Sequence, residues 1–149
     1  MSKRTVLTLA LSMLIAPGLA VAKSGCPSAV KDAAQKAYPS SKVTACKEEK
    51  EKGKVQYEVK LMTKEEKKLE LDISPEGSIL LTEESVATGA VPKGVIAAFN
   101  AKYPRMEAAS ADKQTKPDGT VAYEIAFRDA KGKKHEATFK EDGTFVEEE

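Results

Sequence analysis

Two stretches of the chain, Pro27-Ser28-Ala29-Val30-Lys31-Asp32-Ala33-Ala34-Gln35-Lys36-Ala37-Tyr38-Pro39 and Pro92-Lys93-Gly94-Val95-Ile96-Ala97-Ala98-Phe99-Asn100-Ala101-Lys102-Tyr103-Pro104, spell one pattern, P-x-x-V-x-x-A-x-x-x-x-Y-P, 65 positions apart. Further on, Gly53, Val55, Tyr57 and Glu58 match Gly119, Val121, Tyr123 and Glu124 at an offset of 66. That offset then holds for Glu70 with Glu136, Ile73 with Phe139, Gly77 with Gly143 and Ile79 with Phe145. A match that runs through helix, strand and turn signals reads as an internal duplication with one residue inserted between helix and hairpin.

Each copy has the same mechanics. Proline suits the first turn of a helix, where its missing N–H costs nothing, and the second proline disfavours helical geometry at the tyrosine before it. Between them Val30, Ala33, Ala34, Ala37 and Tyr38, or Val95, Ala98, Phe99 and Tyr103, recur at helical spacing and form one apolar stripe. Val55, Tyr57, Val59 and Leu61 then alternate with Gln56, Glu58 and Lys60. In the second copy Val121, Tyr123, Ile125 and Phe127 alternate with Ala122, Glu124 and Ala126, and period two predicts half-buried strands. Leu69, Leu71 and Ile73 predict a third strand, and a turn at Ser74-Pro75-Glu76-Gly77 leads to a fourth over Ile79 to Thr82. A weaker strand, about Val43 to Lys47 or Ala108 to Asp112, follows each helix. The expected fold is α+β: two tandem units of one helix and about four antiparallel strands, their sheets joined edge to edge. One such unit of about 60 residues is marginal alone, so pairing of the two is expected.

Lys3 and Arg4 precede an apolar run from Thr5 to Ala16 that ends in Ala20-Val21-Ala22, the pattern of a secretory signal peptide cleaved after Ala22. The organisation read from the sequence is therefore 1–22 signal peptide, 23–84 first repeat and 85–149 second repeat, in a periplasmic or secreted protein without stable membrane insertion after cleavage. Lys23-Ser24-Gly25 before Cys26 lacks the apolar and small residues of a lipoprotein signal. Of 24 basic residues two lie in the signal, leaving 22 against 23 acidic ones, and the lysines alternate with acids, as in Lys47-Glu48-Glu49-Lys50-Glu51-Lys52. That is a solvated hairpin rather than a phosphate-binding stripe, so no nucleic-acid partner is expected. Cys26 and Cys46 are the only cysteines, and in an oxidising compartment such a pair predicts a disulfide. Closing a loop of this size contributes about 3 kcal/mol in the chain-entropy model. By the repeat their counterparts are Val91 and Ala111, which should pack as neighbours without a bridge.

The helix motif, the Tyr57-Glu58-Val59 and Tyr123-Glu124-Ile125 strands, the Leu69 to Leu80 stretch leading to Glu83-Glu84, the tandem layout and the signal together resemble the PepSY-like proteins with the β-lactamase-inhibitor-protein-like fold. The resemblance spans essentially the whole mature chain. It implies an envelope protein or secreted protein with a binding role, through the face of the sheet or its edges, that inhibits or regulates a peptidase or another envelope protein. A protein or peptide partner in the envelope is thus expected. Tight inhibitory interfaces rest on buried aromatic anchors. Here the outward strand positions are Gln56, Glu58, Lys60, Glu70, Asp72, Ala122, Glu124, Ala126, Glu136 and Thr138, while Tyr57, Tyr123, Phe127, Phe139 and Phe145 read as inward. A β-lactamase-specific grip is therefore not expected, with Met62 and Met106 as the loop residues left to contribute.

The candidate protein-binding residues are Gln56, Glu58, Lys60, Glu70, Asp72, Leu80, Glu124, Glu136 and Val146, the last of these and Leu80 being equivalent outward apolar positions. His135, between Lys134 and Glu136, reads as exposed. Glu58 with Glu70, and Glu124 with Glu136, place carboxylates on one face, but their recurrence in both copies fits duplicated surface better than an active site. No phosphate-cradling glycine loop, G-x-S-x-G or H-E-x-x-H occurs, so neither an enzyme nor a resident cofactor is expected. The alternative is an envelope protein that binds a small ligand or a metal through the carboxylate rows.

Overall fold

Proline-bounded helices and period-two strands fold as follows in the computed structural model, which describes residues 25–149. The export signal and its cleavage site lie outside the described residues. Helix α1 (Ser28–Ala37) starts after Pro27, whose carbonyl accepts from Lys31 N–H at 3.1 Å, and ends at Tyr38, whose N–H donates to Ala34. Then come β1 (Lys42–Glu51), β2 (Lys54–Met62), β3 (Lys68–Ile73), β4 (Ile79–Val86), a short 3-10 turn at Thr88–Ala90, α2 (Lys93–Lys102), β5 (Ser110–Thr115), β6 (Val121–Arg128), β7 (Lys134–Lys140) and β8 (Phe145–Glu148). All eight strands form one antiparallel sheet in chain order, β1 through β8.

Two cores lie between the helices and one face of this sheet. Val30 and Ala34 of α1 cover Val59, Leu61, Leu69, Leu71 and Ile73. Val95 and Phe99 of α2 cover Tyr123, Ile125, Phe127, Ala137 and Phe139. Ala37, expected in the α1 stripe, is exposed at the helix end, because a ten-residue helix lying on a twisted sheet seats only its central turns. The second core is aromatic: Phe99 meets Phe127 edge-on at 5.4 Å and Phe139 at 6.4 Å. Each such pair contributes about 1 kcal/mol beyond area burial. The first core is aliphatic and carries instead the Cys26–Cys46 disulfide, with Cα atoms 5.7 Å apart. Val91 and Ala111 are both buried in the second core, where apolar packing takes the place of that bridge.

The halves join at β4 and β5, in register from Thr82 opposite Thr115 to Val86 opposite Ala111. Both strands depart from the sequence reading, which ends β4 at Thr82 and puts the next strand at Ala108 to Asp112. The segment Glu83 to Val86, beyond the expected end of β4, is strand because β5 supplies its backbone partners. Each copy also carries a bulge at one equivalent site, Ile73 opposite Ile79 beside Asp72 opposite Leu81, and Phe139 opposite Phe145 beside Thr138 opposite Glu147. The bulge turns Ile79 toward the helices and leaves Leu80 exposed. Phe145, read as inward, packs edge-on against Phe139 at 5.6 Å but stays 38% exposed, since β8 is an edge strand with no neighbour beyond it.

One turn closes most of the hairpins: at 63–67, 74–78, 116–120, 129–133 and 140–144 the first N–H donates to the fifth carbonyl and the fourth N–H to the first. The fourth position has positive φ, filled by Gly77 at 89° and Gly143 at 87°, but by Glu66 at 61° in the β2–β3 turn. At Gly77 and Gly143 the constraint is double, because an added Cβ would stand 2.8 Å from the Ala29 carbonyl oxygen and 2.9 Å from that of Gly94. Each turn is thus pressed against the first turn of its helix. Gly143→Ala is expected to destabilise the protein by about 2 kcal/mol or more, while Glu66→Gly stabilises it by about 1 kcal/mol. Urea unfolding checks both, and the same sign for the two changes would contradict this account of the turn.

Candidate open-face binding site

Among the described residues, no second layer covers the side chains on the face away from the helices. They line a trough of about 740 Å³ that runs from the β1–β2 hairpin to β8. The sheet curls far enough for Lys52 Nζ, at the tip of the first hairpin, to lie 3.7 Å from Glu147 Oε2 on the last strand. Eleven carboxylates and six lysines line this trough, with Leu81, Ala122 and Val146 as its apolar residues and no aromatic side chain. Of the sequence-derived candidates, Gln56, Glu58, Lys60, Glu70, Asp72, Glu124, Glu136 and Val146 are among the lining residues. Leu80 is not; the β4 bulge puts Leu81 there instead.

Charge is compensated unevenly along the trough. On the first repeat Lys60 Nζ sits 2.9 Å from Glu70 Oε1 and 3.2 Å from Glu58 Oε1, and its hydrogen bond to Glu70 is the main reason its ammonium is held above the ordinary lysine range. On the second repeat Lys134 pairs with Glu136. Between them, among the described residues, no lysine or arginine nitrogen lies within 4.0 Å of Asp72, Glu83, Asp112 or Glu124. These have neutral partners: the Ser85 hydroxyl donates to Asp112 at 2.6 Å, and the Gln114 amide donates to Glu83 at 2.8 Å and to Glu124 at 3.2 Å.

The consequence is a set of carboxyl groups that resist ionisation. Burial pushes Glu124 up to about 8, reinforced by the charges of Glu83 and Glu136. Burial likewise pushes Glu83 up to about 7 against the opposing Gln114 hydrogen bond, and Asp72 up to about 6 with help from Glu49 and Glu58. Sequence reasoning missed Glu83 and Gln114, which belong to the parts of β4 and β5 that only their mutual pairing defines, and Asp112, whose partners Ser85 and Glu124 only the sheet order brings to it. The equivalence of Glu83 and Glu149 at offset 66 was the available signal.

His135 lies on the other face and is half-buried rather than exposed. Its ring stacks on Phe127 at 5.4 Å, Nδ1 is 3.1 Å from Glu148 Oε1 and Nε2 is 3.5 Å from Asp129 Oδ2. The Tyr103 hydroxyl donates to Glu148 at 2.5 Å, so this network ties α2 to the C-terminal strand. Met106 packs against the second core rather than serving the open face. Among the described residues no group of three or more His, Cys, Asp or Glu is placed to hold a metal ion, and no helix is long and apolar enough to cross a membrane.

Residues 27–76 match the family model "Peptidase propeptide and YPEB domain" (PepSY), and residues 80–147 match "Putative beta-lactamase-inhibitor-like, PepSY-like". The fold is also that of a BLIP-like protein from Bacteroides fragilis, 24% identical, with a TM-score of 0.61 over 85% of this chain and 88% of that one. The chain is a tandem PepSY-like protein with the β-lactamase-inhibitor-protein-like fold. A DUF2874 family protein from Bacteroides uniformis shares this fold at 15% identity and a TM-score of 0.67, over 84% of this chain and 89% of that one. So does a chain described among "putative periplasmic proteins" of Bacteroides eggerthii, at 16% identity and a TM-score of 0.67, over 84% and 88% of the two chains. No curated protein matches the sequence. The two family matches are to propeptide-like and inhibitor-like modules, and the disulfide of this PepSY-like chain fits export.

The raised carboxyls set the pH response of the PepSY-like fold. Each holds its proton to higher pH in the folded state than in the unfolded one, so from about pH 4 to about pH 8 the folded state binds more protons and stability falls as pH rises. Asp118 and Asp142, held low by backbone N–H groups of Thr120 and Thr144, act only below that window. A melting temperature higher by about 4 °C or more at about pH 5.5 than at about pH 8.5 is expected. Glu124→Gln should raise the value at the higher pH and flatten the slope; a maximum at the higher pH in the unmodified protein contradicts the assignment.

Proposed function

We propose that this chain is an exported, non-catalytic binding module that engages a protein or peptide partner of the envelope through its trough and inhibits or regulates it. The observation that carries this reading is the uncovered concave face, on which half-buried carboxylates stand without counter-ions while the opposite face is committed to the two cores. Folding gives those groups neutral hydrogen-bond partners but no counter-ion, and a basic partner seated there would supply one. The peptidase-propeptide description of the first family match supports a peptidase as the class of partner. The polar, aromatic-free lining supports a contact built on charge and hydrogen bonds rather than on buried rings.

Affinity capture from a native envelope tests the reading with two variants of equal bulk. Leu81→Trp obstructs the trough floor, and Lys31→Trp alters the exposed side of α1. A stoichiometric partner should be held by the unmodified chain and by Lys31→Trp, and lost with Leu81→Trp. Loss with Lys31→Trp alone contradicts the reading. So does a melting temperature that rises with calcium or zinc while no partner is captured, which is the signature of the small-ligand or metal alternative.

A further inference from the structure

The duplication contains its own bound and unbound forms of one site. In the first repeat Glu58 and Glu70 lie diagonally across β2 and β3, Glu58 opposite Asp72 and Glu70 opposite Lys60, and the Lys60 ammonium bridges the two glutamates, within 3.2 Å of both. The register at offset 66 assigns Glu124, Glu136 and Ala126 as the counterparts, and Ala126 lies opposite Glu136 as Lys60 lies opposite Glu70. The carboxylates are retained and the amine is gone. A buried methyl group stands where the first repeat carries its lysine. Lys134 holds Glu136 from the side but does not come within 4.0 Å of Glu124.

The gap adjoins the seam between the repeats. Glu83 of β4 and Glu124 of β6 accept from the same Gln114 nitrogen, so the two carboxylates converge on one point of the trough floor. Asp112 faces Glu124 across β5 and β6. This juxtaposition occurs once, because β4 meets β5 once.

We infer that Glu124, Glu83 and Asp112 form the receptor for a lysine side chain presented by the protein partner, whose ammonium takes the role that Lys60 plays in the first repeat. This rests on the reading of the trough as the binding surface and names the chemistry it selects. The first repeat shows that an ammonium fits two glutamates at this register, and the trough gives room for a side chain to enter. Charge complementarity favours a basic segment, since the lining carries eleven carboxylates to six lysines. The groups that face Glu124 are Glu83 on β4, Asp112 on β5, Lys134 and Glu136 on β7, and Glu149 at the chain end. With burial and four acidic neighbours holding the Glu124 proton, ammonium binding displaces it, and affinity should rise with pH from about 6 to about 8.

The test titrates the full mature chain with capped tetralysine at about pH 8 and low ionic strength, followed by calorimetry and amide shifts. Ala126→Lys supplies the missing amine internally and should weaken tetralysine at least about tenfold, as should Glu124→Gln. Glu58→Gln, whose carboxylate is already held by Lys60, should lose less than Glu124→Gln. The ε-acetylated peptide should not compete, and spermidine should bind more weakly than the peptide. Equal affinity of Ala126→Lys and the unmodified chain overturns the inference, as does an equal loss at Glu58 and Glu124 or spermidine binding as tightly as tetralysine. If those results come while Leu81→Trp still releases the envelope partner, the trough remains the interface and only the lysine assignment fails. If capture is indifferent to Leu81→Trp, the reading on which the assignment rests fails as well.

Discussion

The pairing of β4 with β5 is the constraint on which the rest of the structure depends. Each repeat offers one helix and four strands, too little to bury an adequate core alone. A ladder from Thr82–Thr115 to Val86–Ala111 makes them one eight-stranded sheet and leaves only β1 and β8 as edges. Because both helices pack on one side, the sheet curls and its other side becomes the trough. The same ladder brings Glu83, Asp112 and Gln114 together on the trough floor, so the joint that stabilises the fold also concentrates its unpaired charge.

The two copies solve one packing problem by different chemistry. The first has an aliphatic core and a disulfide that fastens the helix start to β1. The second replaces the cysteines with Val91 and Ala111 and fills its core with Phe99, Tyr123, Phe127 and Phe139. On the open side the divergence runs the other way: Lys60 completes a local charge triad in the first copy, and Ala126 leaves it incomplete in the second. One copy thus carries the structural pairing and the other does not.

Much of the fold was legible because it rests on local signals. The proline-bounded helices, the alternating β2 and β6, the glycine turns and the cysteine pair each carry their cause in a few adjacent residues. The full extents of β4 and β5 were not legible, since Glu83-Glu84-Ser85 and Lys113-Gln114-Thr115 show no apolar alternation and become strand only through each other. That one omission hid Glu83, Ser85 and Gln114 of the trough floor. The bulge after Ile79 hid another part, by exchanging Leu80 for Leu81 on the open face. His135 was misjudged for the same reason: its surroundings, Phe127 and Glu148, arrive from distant strands.

What unites these observations is a folded chain that keeps acids half-buried and uncompensated at the seam of its repeats, a cost that binding a cationic side chain offsets. The most direct test is a carbon-13 NMR titration of the Glu83 and Glu124 carboxyls in the folded protein. Midpoints near 7 and 8, coupled to one another and lowered together by Ala126→Lys, are the result expected. Midpoints for both in the ordinary glutamate range of about 4.3, unchanged by that substitution, would contradict it.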